Sequence, residues 1–505
     1  MNEQLRKLTL YVIGAFLFNI LFYRELMALN TVFFDAFVIS ALFYLYPSAR
    51  ANVIVRWLLV ANVVCLGTLL LHNTVLTKYA FICTLLLTVG FAEYTHRSAW
   101  YAGGSVFLNF FLFIGNLAET VSGALSGKKK RKSNWAKYVK FSIIPVAIAF
   151  VFFIIYAGAN SVFASIVGNI ANWLEINFKR FFFVFKPERI FFTLFGFYII
   201  GSLLAKTRIN YFSVTDIAHS DELVRRKKTV QRKFMMQPMQ VKDFSIIGLK
   251  NENLTGVISL VLLNALLFFV NCIDINYVWM NFEFSPDKPL YKLVHEGTGL
   301  LIVSIILAMA VMLFFFKGNL NFYKKNKWLK YGTYLWIFQN AFLVLSVLLR
   351  DYYYIQHYGL AYKRIGVLFF LLMVLVGLIT VFIKVYATKT SYFLFRVNAW
   401  AAVFLLVVAT WVNWDVTMVR YNLAHRNEIA LLDTDFLLGL SDRTLPVLYE
   451  NKEVFVASDP TREENIDERV KRYLKDQEQY SWLSWNYADS KVKKYFSNAN
   501  KTAAK

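Results

Sequence analysis

The stretch LTGVISLVLLNALLFFVNCIDINYV, residues 254–278, decides the fold class of this chain. It contains a single charged side chain, Asp274, near its end. An α-helix rises about 1.5 Å per residue, so this stretch is long enough to cross a hydrocarbon core of about 30 Å. We therefore predict a transmembrane helix here and look outward from it for others.

Further apolar stretches of similar length lie on both sides of this one, so the sequence predicts an all-α polytopic transmembrane helix bundle of about 12 spans. The chain is 58% hydrophobic and 17% charged, which is more apolar than an ordinary globular protein. These values argue against a soluble nucleic-acid-binding protein, despite the net charge of +23. The predicted spans are 8–23, 31–46, 54–71, 75–92, 99–116, 141–156, 190–205, 254–278, 299–316, 331–349, 366–386 and 397–412.

Basic residues concentrate in three loops, Lys128–Lys140, Lys206–Lys250 and Lys317–Lys330, which carry most of the net charge. Loops rich in Lys and Arg stay in the cytoplasm. Twelve spans place all three loops on one side, which we take as cytoplasmic, with both termini outside. The lipid bilayer, with anionic headgroups at these loops, is the expected partner, and no nucleic acid is expected.

The last segment, residues 416–505, has a different composition, with 14 basic and 14 acidic residues. The Asp459-Pro460-Thr461 sequence, followed by Glu464, is typical of the start of a helix. We predict a transmembrane domain over 1–415 and a soluble helical extracytoplasmic tail over 416–505. The broken apolar stretch 159–188 is interpreted as an interfacial helix, with a re-entrant loop as the alternative.

Polar side chains are costly at membrane depth, so they mark candidate functional positions. In the predicted topology most of those in the second half of the chain lie near the outer boundary, with two amides closer to mid-depth. Arg350–Glu296 and Arg364–Asp415 are candidate ion pairs. The alternative is that these residues form an interfacial belt or hold the helices together. The candidate ligand or cavity residues are Asp274, His295, Glu296, Gln339, Asn340, Arg350, Tyr358, Arg364 and Asp415.

Common catalytic, metal and cofactor motifs are absent from the sequence. His295-Glu296 is followed by Gly-Thr-Gly, so it is not the H-E-x-x-H zinc motif. The three cysteines, Cys65, Cys83 and Cys272, lie in apolar runs and do not form a C-x-x-C pair. We therefore assign no catalytic or metal residues and expect no cofactor.

Four motifs occur together in the chain: Tyr156–Phe163 (YAGANSVF), His295-Glu296-Gly297, Tyr358–Arg364 (YGLAYKR) and Leu432–Ser441 (LDTDFLLGLS). In this order, between about residues 100 and 450, they resemble an uncharacterised bacterial family of multi-pass membrane domains of unknown function, of the 4153/4173 type. The chain resembles a divergent member of that family. The resemblance implies a bacterial inner-membrane protein with an extracytoplasmic tail, but no activity or site residue.

Three functions fit these observations, and we favour one that is not enzymatic. The first is transport or sensing of a small polar or anionic ligand in an outward-facing cavity, where arginines hold negative charge and Asp274 and Glu296 exchange protons. The second is a membrane-embedded transferase or hydrolase acting on a lipid-linked or envelope substrate, with Asp274 or Glu296 as the base and His295 as the proton shuttle. The third is a structural partner in an envelope complex, docked through the tail.

Overall fold

The computed structural model describes residues 3–125, 158–177, 187–206, 209–225, 246–280, 290–316 and 318–503, with single positions between 145 and 156. In parts of these ranges, such as 290–298, only the backbone is described. Within them the structure is helical, and its one β contact is an isolated bridge between Glu222 and Lys389. The predicted all-α class is therefore confirmed.

The longer helices are numbered here in chain order. The first ten are α1 Glu3–Phe22, α2 Leu29–Leu45, α3 Val53–His72, α4 Val75–Glu93, α5 Ala99–Leu125, α6 Ser161–Asn177, α7 Pro187–Leu204, α8 Tyr211–Ala218, α9 Ile246–Asp274 and α10 Leu290–Phe315. The others are α11 Lys327–Tyr358, α12 Tyr362–Tyr386, α13 Ser391–Ala409, α14 Trp414–Ala424, α15 Thr434–Leu438, α16 Leu445–Glu450, α17 Lys452–Ser458, α18 Arg462–Glu478 and α19 Tyr487–Ala503.

Nine helices of the described residues are long and apolar enough to cross a membrane: α1, α3, α4, α5, α7, α9, α11, α12 and α13. Helix α2 and the apolar part of α10, Leu301–Phe315, are shorter. The predicted sixth span, 141–156, lies outside the described residues except at a few positions. A multi-pass membrane protein is therefore confirmed, whereas the count of twelve and the domain boundary at residue 415 stay predictions.

The chain forms two compact units. Unit 1 comprises residues 1–217, 409–411 and 468–505, and unit 2 comprises residues 218–408 and 412–467.

In unit 1, α1 and α7 pack antiparallel. The Asn19 amide near the end of α1 donates to Thr193 at 2.8 Å, near the start of α7. Near the middle of α1, Tyr11 is fully buried, with its ring 5.8 Å from Phe113 and 6.2 Å from Phe197. These aromatic contacts fix α5 and α7 against the first half of α1.

Helix α5 does not return along α4 as consecutive membrane spans usually do. Its residues 102–113 contact the last turn of α4 at Gly90 and Glu93, and the last turns of α7 at Tyr198 and Gly201. Each of these contacts lies toward the same end of the partner helix. Helix α5 therefore crosses that end of α1, α4 and α7.

This crossing changes the predicted topology. Lys7 at the start of α1 and Lys206 after α7 line the same cavity, together with Glu93 at the end of α4. Twelve alternating spans would place Lys7 and Lys206 on opposite sides of the membrane, which does not fit their position in one cavity. The prediction treated α5 as one more antiparallel crossing because it is long and apolar.

The opposite end of α1 contacts the last part of the chain. The Leu29 backbone N–H donates to the carbonyl of Trp485 at 3.1 Å, and the Ser481 N–H donates to the Glu25 carboxylate at 3.2 Å. A 20-residue helix such as α1 is about 30 Å long. Lys7 and residues 481–485 therefore lie near opposite ends of α1, and the membrane sides of the two termini stay a prediction.

In unit 2, α9, α10, α11 and α12 share an apolar core that includes Leu260, Met312, Trp336, Val344 and Val374. A second core lies beyond the end of α11, where α14–α18 pack around Met418, Leu437, Leu448 and Phe455. Ile365, at the start of α12, belongs to that second core.

Candidate functional site

Asp274 and Arg350, two of the predicted residues, form a buried ion pair in unit 2. Arg350 Nη2 donates to Asp274 Oδ1, and the two side chains are 14% and 4% exposed. Asp274 Oδ2 is buried and has no hydrogen-bond partner among the described residues. The pair joins the end of α9 to α11, where the sequence had offered Glu296 as the partner of Arg350.

Gln339 and Asn340 lie inside α11, and one of them belongs to a polar seam between α9 and α11. Gln339 Nε2 donates to Asn264 at 2.8 Å, and Asn264 Nδ2 donates to the Gly332 carbonyl at 2.9 Å. One heptad further on, Asn271 donates to the Gln339 carbonyl at 3.3 Å. The constant register shows that the two helices run parallel, with the polar groups between them. Asn340 bonds within its own helix, to the Trp336 carbonyl.

Tyr358 and Arg364 flank the turn between α11 and α12. Arg364 donates to the Tyr358 carbonyl at 2.9 Å and to the Gly359 carbonyl, and its guanidinium lies 4.3 Å from the centre of the Tyr354 ring. Asp415 instead accepts a hydrogen bond from the Tyr362 hydroxyl. The proposed Arg364–Asp415 ion pair is therefore wrong, because Arg364 closes the turn through backbone carbonyls.

His295 and Glu296 belong to α10, but their side chains lie outside the described residues. The structure thus joins Asp274 to Arg350 and Tyr358 to Arg364, and seats Gln339 in the helix seam. Each of these contacts holds helices or a turn in place.

A polar cavity lies in unit 1, at the ends of α1, α4 and α7 that α5 crosses. Its volume is about 950 Å³, within the usual range for ligand sites. None of the nine predicted residues lines it. The polar lining residues are Gln4, Lys7, Ser48, Asn52, Glu93, Tyr94, Thr95, Asn116, Glu119, Thr120, Lys206, Asn210 and Ser213.

Glu93 is the most deeply buried acid of this cavity, at 2% exposure. Its Oε2 accepts a hydrogen bond from Asn109 Nδ2 at 2.5 Å, while Oε1 is buried without a partner among the described residues. Lys206 and Lys7 both attract the carboxylate electrostatically, but neither forms an ion pair with it within the described part of the chain. A buried carboxylate oxygen is therefore left to pair with something in the cavity.

Two tyrosines stand beside this carboxylate, outside the membrane-spanning helices. The ammonium of Lys206 lies 4.5 Å from the centre of the Tyr94 ring and 6.0 Å from that of Tyr46. Burial and, secondarily, the charge of Glu93 raise the pKa of both phenols. Both tyrosines therefore stay neutral at physiological pH, and Lys206 is held by their rings.

A second polar cluster in unit 1 joins Ser105, His96 and Asp216. Ser105 Oγ lies 3.0 Å from His96 Nε2, and His96 Nδ1 lies 3.2 Å from Asp216 Oδ2. Asp216 also accepts the backbone N–H groups of Arg97 and Ser98, just before α5 begins. An ionised Asp216 favours the tautomer with a proton on Nδ1, which leaves Nε2 to accept from Ser105.

Sequence reasoning missed Glu93, Asn109 and Lys206, although two signals were available. Glu93 is the only acid in the apolar stretch that becomes α4, and Asn109 lies inside the predicted fifth span. We looked for polar side chains at membrane depth only in the second half of the chain, so Glu93 and Asn109 were not considered. Lys206 was counted only as loop charge.

Metal binding finds little support in the part of the chain that the structure describes. There, no three His, Cys, Asp or Glu side chains are grouped closely enough to hold a metal ion.

Comparison with known proteins gives one result. The family model for a domain of unknown function, DUF4153, matches residues 36–451. No curated protein and no solved structure matches the chain.

Proposed function

The chain belongs to the DUF4153 family, which confirms the resemblance noted in its motifs, and from this premise we propose that it transports or senses a small polar ligand. The observation that carries the proposal is the cavity of unit 1 with the buried carboxylate of Glu93. Ligand sites are concave and usually contain a few convergent polar groups.

The energetics of the cavity support binding. A buried polar group without a partner costs about 1–3 kcal/mol, and more when it is charged. Glu93 Oε1 and Asn116 Nδ2 are both in this condition within the described structure. A ligand that pairs with them recovers that cost, so the cavity favours a polar occupant over an apolar one.

We place the cavity end of unit 1 in the cytoplasm of a bacterial cell, at the inner membrane. Lys7, Arg50 and Lys206 lie at this end, whereas Glu25 lies at the other, where Arg24 pairs with Glu188 and Arg189 donates to Asn19. Because the basic side chains of the far end are paired or hydrogen-bonded there, we assign the cavity end to the cytoplasm. The cavity then opens toward the cytoplasm, and the end of the chain is extracytoplasmic, where it is free to dock an envelope partner. Anionic lipid headgroups would contact the basic end.

Ligand binding can be tested on the full chain in lipid nanodiscs, with a polar-metabolite extract of bacterial cells as the probe. Ala51→Trp places a large ring at the cavity lining, and Ala36→Trp is the matched control at an exposed site outside it. We expect the extract to raise the thermal midpoint of the wild type and the control, but not of Ala51→Trp. No shift in the wild type, or an equal shift in Ala51→Trp, contradicts the proposal.

A second candidate function, membrane-embedded hydrolysis of a lipid-linked or envelope substrate, is supported by the Ser105–His96–Asp216 cluster. Its order of atoms is that of a serine nucleophile, a general base and an orienting acid, but all three side chains are buried and the Ser105 hydroxyl also lies 3.2 Å from the Tyr101 carbonyl as a donor. A fluorophosphonate probe should then label the wild type and leave Ser105→Ala unlabelled. If the wild type is not labelled, the cluster serves only to hold the start of α5.

A further inference from the structure

The cavity of unit 1 presents unpaired groups of both kinds, acceptors and donors. Glu93 Oε1 and Asn109 Oδ1 are buried acceptors without partners among the described residues. Asn109 donates to the other oxygen of Glu93, but it is not among the residues that line the cavity, so Glu93 Oε1 is the acceptor that the cavity presents. Glu93 and Asn109 are 2% and 0% exposed, so water does not easily satisfy them.

The donors are Asn116 and Lys206. Asn116 Nδ2 is buried without a partner among the described residues, and the side chain lines the cavity. Lys206 carries a positive charge that no described carboxylate pairs with; its ammonium lies against the rings of Tyr94 and Tyr46 instead. The cavity therefore contains a buried carboxyl oxygen that can accept and two donors, Asn116 and Lys206, that are not bonded to it among the described residues.

Ligands with only one charge fit this arrangement poorly. An anion pairs with Lys206 and Asn116 but leaves the buried Oε1 of Glu93 without a donor. A cation pairs with that oxygen but leaves the buried Asn116 Nδ2 without an acceptor.

We propose that the cavity binds a small zwitterion of the amino-acid or short-peptide class, its ammonium on Glu93 and its carboxylate on Lys206 and Asn116. A primary ammonium has no acceptor and donates to the free oxygen of Glu93. A carboxylate accepts from both an amide and a lysine. The volume of about 950 Å³ is large enough for a dipeptide with its side chains. This inference rests on the proposed ligand-binding function and specifies its ligand.

The test is titration calorimetry on the full chain in nanodiscs with four probes: L-alanine, alanyl-alanine, ethylamine and propionate. We expect at least one zwitterion to bind about 10-fold or more tightly than either singly charged probe. Glu93→Gln should weaken zwitterion binding by about 10- to 100-fold and leave weak propionate binding intact. Lys206→Met should weaken zwitterion binding similarly and leave weak ethylamine binding intact.

Two controls keep the outcomes separate. Lys389→Met removes a lysine from unit 2 and should change no affinity, and the thermal midpoint of each variant reports whether it folds. Equal binding of a singly charged probe, or no zwitterion binding at all, overturns this inference. The ligand-binding function itself falls only if the polar-metabolite extract also fails to stabilise the wild type.

Discussion

Gly359 and Asn422 are the residues that most tightly define the turn after α11. Gly359 has φ 78° and ψ −176°, a conformation that only glycine adopts readily. Asn422 Oδ1 accepts the Leu360 N–H at 2.5 Å, and its Nδ2 donates to the Leu360 carbonyl at 2.9 Å. One asparagine side chain therefore satisfies both backbone groups of the turn and fastens it to α14.

Gly359→Ala should lower the free energy of unfolding by about 1–3 kcal/mol. The new Cβ would be strained by the backbone and would lie 2.5 Å from Asn422 Oδ1. Gly366→Ala is the matched control in α12, where a Cβ meets open space, and should be neutral or stabilising by up to about 1 kcal/mol. Thermal or denaturant unfolding in detergent compares the two variants. If they are equally stable, Gly359 and Asn422 do not fix the turn as described.

The sequence carried part of this residue-scale information. The YGLAYKR motif marked the turn, and Tyr358 and Arg364 were singled out from it. Asn422 lies some sixty residues away, on a helix whose position no local pattern gives. Arg364 was assigned a carboxylate partner on charge alone, whereas the carbonyls of its own turn are closer and already fixed.

Helices α9 and α11 illustrate what heptad spacing does inside a membrane protein. Water does not compete for hydrogen bonds there, so amides between two helices set which faces meet. Asn264 and Asn271 are seven residues apart, as are Gly332 and Gln339, and each pair meets the other in the same register. The two helices run parallel in the structure, and their register was not readable across the intervening loops and α10.

Asn264→Leu should destabilise the protein by about 1–2 kcal/mol, because Gln339 Nε2 and the Gly332 carbonyl both lose a partner. Adding Gln339→Leu should cost less than the sum of the single changes, since it removes one of the orphaned groups. Gln356→Leu, an exposed amide near the end of the same helix, should change stability by less than about 0.5 kcal/mol. If the destabilisation of the double variant equals the sum of the two single changes, the side chains of Asn264 and Gln339 do not interact in the polar seam.

The Asp274–Arg350 pair gives a stronger version of the same experiment. Arg350→Met leaves a carboxylate of 4% exposure without its cation, which should cost about 3–5 kcal/mol. Asp274→Asn combined with Arg350→Met should recover much of that loss. Lys327→Met, at the exposed start of α11, is the control. If Arg350→Met retains wild-type stability, a role outside helix packing becomes the better explanation for Arg350.

At the scale of the whole molecule, the path of the first seven predicted spans was misjudged for a physical reason. Length and hydropathy identify helices that fit a membrane, but they do not distinguish a crossing from a helix laid over the ends of others. Helix α5 satisfies both criteria and still contacts one end of its neighbours. The Arg6-Lys7 pair was the contrary signal, since basic residues at the start of the chain belong with the other basic loops.

Reporter fusions test this topology directly. Fusions before Glu3 and after Lys132, Lys233 and Lys325 should all read cytoplasmic, and a fusion after Asn500 should read external. The first and last of these are the decisive pair, because the structure places Lys7 and residues 481–485 at opposite ends of α1. If the fusions before Glu3 and after Asn500 read the same side, residues 481–485 do not lie at the far end of α1, and if those before Glu3 and after Lys233 read opposite sides, the placement of α5 is wrong.

The contact between residues 481–485 and the α1–α2 connection also imposes an order of assembly. The ribosome makes residues 1–217 first, but the segment that completes unit 1, residues 468–505, follows only after residues 218–467. Glu25 and Leu29 must therefore wait for their partners through the synthesis and membrane insertion of unit 2. Unit 1 can therefore complete its packing only near the end of synthesis. A nascent chain that stalls in unit 2 leaves the connection between α1 and α2 without its contacts to residues 481–485.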